Sequence, residues 1–268
     1  MKTYLDCLPC FIRQSLEAAR LVSDDPEFHE KILRRALAMS SEMDYTQPPP
    51  SMARDIHRFI RKLSGVNDPY HMDKASSNDF ILSLLPGFQA EVHESGDPFE
   101  TALRFAVAGN VIDFGVKADL TKSEILSTLD QARTAELDRD TIECFKKSLM
   151  DARSVLYIGD NAGEVVFDCL FIETIQEVLG PVNLTFVVRG APVLNDITMD
   201  DALQVGIDKT ATRVISNGCD TPGTLLTDCS EEFLEYLEKA DVVISKGQGN
   251  YETLSELTQE TYFLLKAK

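Results

Sequence analysis

Positive charge is scarce in this sequence. Its 26 Lys and Arg residues face 44 Asp and Glu residues, so the formal net charge at pH 7 is -18 and the pI is about 4.6. Nucleic acids and anionic membrane surfaces attract basic proteins, and we therefore expect neither as a partner. A small anionic ligand is compatible with this acidity, because local hydrogen-bond donors or a metal ion can reverse the field around a pocket.

Long apolar runs and cysteines are scarce as well. No stretch reaches the length of a transmembrane helix, and residues 1–7 lack the apolar segment of a secretory signal peptide. Six cysteines among 268 residues are too few for the disulfide framework of a small secreted protein, so we expect reduced thiols. Together these absences predict a cytoplasmic protein.

The first part of the chain has helical periodicity. Between Leu8 and Ala19, apolar residues recur at intervals of three and four, and Pro9 fits the first turn of a helix. Pro26 marks the start of a second helix, and Ser51, which follows three prolines, is predicted to cap a third. No strand is predicted before residue 150. The further predicted helices are residues 79–85, 98–111, 122–132 and 141–150.

The pattern changes near residue 153, where short apolar segments begin to alternate with helical ones. Strands that alternate with helices predict a parallel sheet with helices on both faces, which is the α/β class. We therefore predict a helical subdomain over residues 1–152 and an α/β subdomain over residues 153–268. The predicted strands are residues 154–158, 183–188, 213–216, 241–245 and 262–265, and the predicted helices between them are 165–178, 199–205 and 231–240.

Polar clusters follow the strands of the second subdomain. Each of the first four strands ends in glycine together with Asp, Asn, Arg or Lys. Ligands of open parallel sheets bind beyond the carboxyl ends of the strands, so these clusters are predicted to meet at one edge of the sheet. The clusters are residues 159–164, 189–198, 217–223 and 246–250.

Two of these clusters carry oxygen ligands. Asp160 and Asn161 follow the first strand, and their side chains suit magnesium or manganese better than a soft metal. Gly163 opens the next helix, whose free N–H groups could hold a phosphate. Asp196 could be a third ligand, and Arg189 could clamp a phosphate or pair with a carboxylate. Helix capping is the alternative for both clusters, since Asp and Asn are favoured at N-caps.

Lys246 is the main candidate for phosphate binding in the last cluster. It follows four apolar strand residues and precedes Gly247 and Gly249, so we expect it at the exposed rim of the sheet. A solvated lysine in a glycine-rich turn is the alternative. The sequence has neither the Walker A pattern nor the dinucleotide-binding pattern of three spaced glycines after the first strand.

Several of these segments together resemble one known family. The Asp160-Asn161-x-Gly163-Glu164 segment and the segments around Asp196 and Lys246 are similar to those of the metal-dependent damage-control phosphatases, first catalogued as domain of unknown function 89. The Cys7-Leu8-Pro9-Cys10 start resembles the short prokaryotic branch. The resemblance covers nearly the whole chain, and the other matching segments are residues 74–78, 97–98 and 108–115.

The resemblance implies a helical N-terminal part, a Rossmann-like three-layer α/β/α part and hydrolysis of phosphate monoesters. The implied substrates are small phosphorylated metabolites such as sugar phosphates, and the implied cofactor is a divalent metal, Mn²⁺ or Mg²⁺, with Co²⁺ or Ni²⁺ as further candidates. Matched by motif, Asp160 and Lys246 are the catalytic residues, and Asp160, Asn161 and Asp196 are the metal ligands. The predicted phosphate- or substrate-binding residues are Asn78, Asn110, Asp113, Gly163, Arg189 and Lys246.

Two other functions remain as alternatives. An S-adenosylmethionine-dependent methyltransferase would place an acidic residue after the second strand to bind the ribose, whereas Arg189 stands there. A non-catalytic phosphometabolite-binding protein would bind a ligand without turnover. The Cys7/Cys10 pair allows buried packing, a metal or structural thiol site, or redox chemistry. Because family members usually continue into another cysteine and a final strand, we also expect the chain to lack some C-terminal residues.

Overall fold

The computed structural model describes residues 1–110, 127, 129–131 and 133–266. In the described residues before residue 152, every regular element is a helix, as predicted. The predicted helix at 122–132 lies mostly outside the described residues. The helices of this part are α1 Cys7–Val22, α2 Pro26–Ser41, α3 Pro49–Ser64, α4 His71–Glu94, α5 Pro98–Gly109 and α6 Arg139–Asp151.

Local sequence explains where these helices begin. The Asp25 side chain accepts a hydrogen bond from Glu27 N, and Asp97 accepts one from Glu100 N, so each caps a helix whose first residue is proline. The prediction that Ser51 caps the third helix is wrong. Helix α3 begins at Pro49, because the fixed φ of proline suits the first turn, and Ser51 lies inside that turn.

Helix α4 is much longer than the predicted segment 79–85. It contains Pro86, a residue that usually ends a helix, and nevertheless continues to Glu94. Burial of Ile81, Phe88 and Val92 against the rest of the protein holds both halves of the helix in place. Tertiary packing therefore outweighs the local signal for a break.

Five parallel strands form one sheet in the order β3-β2-β1-β4-β5, which confirms the α/β prediction. The chain adds strands on one side of β1 and then returns to the other, so the order reverses between β1 and β4. A crevice at such a reversal is the usual ligand site of an open parallel sheet. The strands are β1 Val155–Ile158, β2 Leu184–Val188, β3 Arg213–Ser216, β4 Val242–Lys246 and β5 Thr261–Leu264.

Helices cover both faces of the sheet and form the predicted three layers. Alternate residues along each strand enter two separate apolar cores, so that Tyr157 faces one core and Leu156 the other. Helices α4, α5 and α6 contribute to the core that contains Tyr157, whereas α1, α2 and α3 have a small core of their own. The remaining helices are α7 Glu164–Leu179, α8 Met199–Val205, α9 Ile207–Thr210, α10 Glu231–Lys239 and α11 Gln248–Leu254, with a 3₁₀ turn at Leu226–Asp228.

Charged side chains join α3 to the loops beyond the sheet. Arg58 Nη2 donates to Asp220 Oδ1 at 2.5 Å, and Arg61 also pairs with Asp220. Arg54 Nη1 lies 2.5 Å from Asp228 Oδ2. The small α1–α3 core is therefore anchored beside the loop that follows β3. Over the described ranges, no helix combines the length and apolar character needed to cross a membrane.

Candidate active site

The ends of β1 and β2 bring the three predicted metal ligands together. The segment after β2 folds back on the segment after β1, with Ile197 N donating to Asp160 O at 2.9 Å and an antiparallel bridge between Asn161 and Asp196. Asp160 and Asp196 are almost completely buried. The convergence of strand ends inferred from the sequence therefore occurs at these residues.

Neither ligand cluster serves as a helix cap. The N-cap of α7 is Gly163, two residues beyond Asn161, and the N-cap of α8 is Thr198, two residues beyond Asp196. The aspartate and asparagine side chains are therefore free of the role that would have explained them without a ligand. Their location at adjacent strand ends has to be explained by other contacts.

Gly247 leaves room for the Asp160 carboxylate. A Cβ atom on Gly247 would lie 1.8 Å from Asp160 Oδ2, and the glycine has φ of +80°. An L side chain rarely adopts this backbone conformation, and here it would also occupy the position of the carboxylate. The chain after β4 thus forms one wall of the site with its backbone alone.

Arg189 pairs with both predicted carboxylate ligands. Its Nε lies 2.6 Å from Asp196 Oδ2, and its Nη2 lies 3.6 Å from Asp160 Oδ1. The other guanidinium contacts are to Thr224 Oγ1 and Asn250 Oδ1, each at 3.2 Å. Of the two alternatives left by the sequence, the structure shows the carboxylate pair. Contact of this buried guanidinium with phosphate stays a prediction.

The expected exposure of Lys246 is wrong. Lys246 is the last residue of β4, and its side chain is fully buried because α5 and α7 cover that end of the strand. Its Nζ lies 2.6 Å from both Glu164 Oε1 and Asp168 Oδ1 and donates to Ala106 O at 2.8 Å. An ammonium has three hydrogens. Two of these contacts, to Asp168 and Ala106, are hydrogen bonds, and the contact with Glu164 Oε1 is an ion pair without hydrogen-bond geometry.

The helical half reaches the site through two asparagines. Asn110 Nδ2 donates to Asp160 Oδ2 at 3.2 Å and to Glu164 Oε2 at 3.3 Å. Asn78 Oδ1 accepts from Gly163 N at 2.6 Å, so this amide of the α7 N-terminus already has a protein partner. The structure thus places Asn110 beside Asp160, a predicted metal ligand. It places Asn78 against the backbone at the N-terminus of α7. Asp113 lies outside the described residues.

Sequence reasoning missed the acidic residues of α7. The motif after the first strand includes Glu164 without giving it a role, and no motif includes Asp168. Both are buried, and Tyr157 OH donates to Asp168 Oδ1 at 2.7 Å. A signal was present, because two carboxylates one turn apart on an otherwise apolar stretch of helix share a face that must meet polar partners.

Negative charge exceeds positive charge in this buried cluster. Among the described residues it contains four carboxylates and two cations, which leaves two negative charges in excess when all are ionised. Burial raises the pKa of Asp160 well above its usual value, and the charges of Asp196 and Glu164 raise it further. The carboxylates are Asp160, Glu164, Asp168 and Asp196, and the cations are Arg189 and Lys246.

The neighbouring acids are affected by burial to different extents. Burial raises the pKa of Asp196, while the charge of Arg189 opposes the increase. Burial raises the pKa of Asp168 to about 6, with Lys246 opposing it, so this acid is ionised at neutral pH. Burial acts to lower the pKa of Lys246, but its two acidic partners raise it overall. The Lys246–Asp168 pair is therefore charged at pH 7.

The donor set fits a hard divalent cation. Asp160, Asp196 and the amide of Asn161 would supply oxygen ligands, and a divalent cation would balance the two negative charges that are in excess when all four acids are ionised. No three His, Cys, Asp or Glu side chains in the described part of the chain are grouped to hold a metal, and the predicted set accordingly consists of two carboxylates and one amide. Cys7 and Cys10 are free thiols on α1.

Comparisons with known proteins identify relatives of this chain. Residues 3–268 match the sequence model of the damage-control phosphatase ARMT1-like domain. A protein of Archaeoglobus fulgidus named damage-control phosphatase is 33% identical over 266 residues, which cover 98% of this chain and 91% of the relative. A damage-control phosphatase of Pyrococcus horikoshii is 31% identical over 274 residues, with coverage of 100% and 92%.

Structural similarity extends over the same length. A crystal structure of a domain of unknown function 89 protein from Pyrococcus horikoshii has a TM-score of 0.89 and 30% sequence identity. The match covers 100% of this chain and 92% of that one. An uncharacterised protein of Methanocaldococcus jannaschii is 35% identical over 273 residues, or 98% of this chain and 88% of the relative. The chain therefore belongs to the family of damage-control phosphatases with an ARMT1-like domain.

Proposed function

We propose that the protein is a metal-dependent phosphatase that hydrolyses phosphate monoesters of small metabolites such as sugar phosphates. The observation that carries the proposal is a cluster of four buried carboxylates that, among the described residues, pair with only two cations, at the point where the strand order reverses. Membership of the damage-control family supports a phosphatase with a house-cleaning role. Metal dependence and the class of substrate are the parts that we add.

In this proposal Asp160, Asn161 and Asp196 hold Mn²⁺ or Mg²⁺. The bound cation would supply Lewis-acid polarisation of a phosphoryl oxygen and neutralise charge on the phosphate. Arg189 keeps the two carboxylates at fixed positions through its contacts to both. Lys246 offsets one of the two charges of Glu164 and Asp168, just as Arg189 offsets one of the two charges of Asp160 and Asp196.

Substrate positioning falls to groups around the crevice. Asn110 lies next to Asp160 on the side of the helical half and could donate to a phosphate oxygen if its contact with Asp160 is exchanged. The backbone of Gly247 leaves the approach to Asp160 free of side-chain atoms on the β4 side. These features favour a compact anionic group at the strand ends over a large polymer.

A phosphate-release screen tests this function. Purified protein is incubated with sugar phosphates and nucleotides in the presence of Mn²⁺, Mg²⁺, Co²⁺ or Ni²⁺, and with a chelator. We expect metal-dependent release that falls about 10²-fold or more in Asp160→Asn, since a metal supplies several kcal/mol of stabilisation to such a transition state. Asp24→Asn removes a charge from an exposed position and serves as the matched control.

Three results would overturn the proposal. Phosphate release that the chelator does not reduce would exclude the metal. Binding of phosphorylated metabolites without turnover under every metal would favour a non-catalytic binding protein. Transfer of a methyl group from S-adenosylmethionine, without phosphate release, would assign the site to the methyltransferase alternative.

A further inference from the structure

Glu164 joins three parts of the chain within the buried cluster. It is the first residue of α7 and has 1% of its surface exposed. One carboxylate oxygen, Oε1, lies 2.6 Å from Lys246 Nζ. The other, Oε2, accepts from Asn110 Nδ2 at 3.3 Å and from Asn161 Nδ2 at 3.4 Å. A single carboxylate thus contacts residues from the ends of α5, β1 and β4.

Two amides and two carboxylates form a closed square. Asn161 Nδ2 donates to Asp160 Oδ2 at 2.8 Å as well as to Glu164 Oε2, and Asn110 Nδ2 donates to the same two oxygens. Each amide therefore directs both of its hydrogens at carboxylate oxygens. The square consists of Asp160, Glu164, Asn110 and Asn161.

The square determines how Asn161 can act as a ligand. An asparagine binds a hard cation through Oδ1, so the NH₂ group must point elsewhere. A half-turn of the amide would place Oδ1 against Asp160 and Glu164, where like partial charges repel. Because the Asp160 carboxylate is itself a proposed ligand, Glu164 is the partner of this amide that has no ligand role.

We propose that Glu164 is a positioning residue that fixes the Asn161 amide and the Asp160 carboxylate for a divalent cation and holds the Lys246 ammonium beside them. The inference rests on the proposed function, and it adds a residue that acts through the ligands without itself binding the metal. Groups that orient a ligand in this way typically change metal affinity about 10–100-fold when they are replaced.

Asp168 provides a matched control. It lies one turn after Glu164 on α7, is equally buried, and its carboxylate is also 2.6 Å from Lys246 Nζ. Its other hydrogen bond is to Tyr157 OH instead of the asparagines. Replacing either acid by its amide removes one carboxylate from Lys246, but only Glu164→Gln breaks the square.

The experiment measures Mn²⁺ binding by isothermal titration calorimetry, without substrate, in wild type, Glu164→Gln and Asp168→Asn. Circular dichroism establishes that each variant is folded. We expect the Mn²⁺ Kd to rise about 10–100-fold in Glu164→Gln and to stay near the wild-type value in Asp168→Asn. A Kd for Glu164→Gln that does not exceed the Kd for Asp168→Asn would overturn the positioning role.

Failure of the proposed function gives a different result. If wild-type protein binds no divalent cation and releases no phosphate, the proposed function itself falls, and the role of Glu164 falls with it. If wild type binds Mn²⁺ and is active while Glu164→Gln binds Mn²⁺ equally well, only the role of Glu164 falls.

Charge-balanced double variants keep the test valid if Glu164→Gln does not fold. Glu164→Gln/Lys246→Gln and Asp168→Asn/Lys246→Gln each remove one buried acid together with the lysine charge. The two variants therefore have the same net charge, and only the first lacks the carboxylate of the square. Weaker Mn²⁺ binding in the first double variant supports the positioning role, and equal binding in both excludes it.

Discussion

Two lysines are buried in the described part of the chain, each between two acidic residues, and their surroundings differ. Lys74 on α4 has its Nζ 2.9 Å from Asp68 Oδ2 and 2.7 Å from Asp201 Oδ2. Lys246 has the equivalent contacts with Glu164 and Asp168. For both lysines, burial acts to lower the pKa and the acidic partners raise it overall.

The acids around Lys74 are satisfied locally. Asp201 accepts from Thr198 N at 2.8 Å and from Thr198 Oγ1 at 2.7 Å, and Asp68 accepts from Tyr70 N at 3.0 Å. The Asp68 side chain is also 16% exposed, so water solvates part of its charge. This ion cluster fastens α4 to the start of α8.

The acids around Lys246 lie next to further buried carboxylates, and the cations of the cluster do not balance their negative charge. Glu164 and Asp168 are each 1% exposed, and Glu164 leads through two amides to Asp160. Burial without charge balance costs free energy of folding unless another cation is bound. Lys74, whose acids have local partners, joins structural elements, whereas Lys246 lies beside excess carboxylates that a bound cation would balance.

The largest expected difference between the two clusters is in stability. Lys246→Ala leaves two fully buried carboxylates without their cation, and we expect it to lower the free energy of unfolding by about 3–5 kcal/mol. Lys74→Ala should cost less, because water can reach Asp68. Urea denaturation of both variants measures the difference. A loss for Lys74→Ala equal to or greater than that for Lys246→Ala would contradict the comparison.

A smaller and pH-dependent difference is expected for Asp160. Its raised pKa means that the folded protein favours the protonated acid, so this group contributes stability below its usual pKa that is lost as the pH rises through the folded value. In chelator, apo Asp160→Asn should therefore match wild type near pH 4 and become progressively more stable than wild type at higher pH. Thermal unfolding at several pH values measures the gap.

Asp220 gives a control of opposite sign. Burial acts to raise its pKa, but Arg58 and Arg61 lower it below the usual value overall. Asp220→Asn should therefore destabilise the protein at neutral pH, and the loss should fade as the pH falls through the folded pKa. If the stability of apo Asp160→Asn relative to wild type decreases with rising pH, repulsion among the buried carboxylates does not destabilise the folded protein.

The smallest effect is expected at the Lys74 cluster. Thr198→Val removes the hydroxyl that donates to Asp201 and should cost about 1 kcal/mol, the usual value for one hydrogen bond. Because this cluster is closed, the Mn²⁺ Kd should stay at the wild-type value. Calorimetric titration of Thr198→Val checks this, and a markedly raised Kd would mean that the two ion clusters are coupled.

Much of the α/β part could be predicted from the sequence, and the reasons are local. Apolar segments with turn residues after them placed strands such as β3 and β4 within one residue of their observed bounds. The meeting of Asp160 with Asp196 followed from the rule that parallel strands end at one edge. The orientation of Arg189 and the side chains that would surround it did not follow from that rule.

The burial of Lys246 could not be predicted because its partners are distant in the chain. Asp168 is 78 residues away and Ala106 is 140 residues away, on helices whose packing the sequence does not give. Helix α4 shows the same limit. Pro86 favours a helix end at this point, but contacts with the core continue the helix to Glu94. Sequence patterns report neighbours along the chain, whereas the charge balance of an interior depends on tertiary contacts.

The Asp160 carboxylate occupies the space that a side chain at position 247 would fill, and this has a consequence for mutational tolerance. Even the methyl group of alanine would overlap Asp160 Oδ2. A saturation library selected for activity should therefore retain only glycine at this position, whereas selection for folding alone should also admit changes that displace Asp160. Residue 247 thus reports on the geometry of the carboxylate without any change to the carboxylate itself.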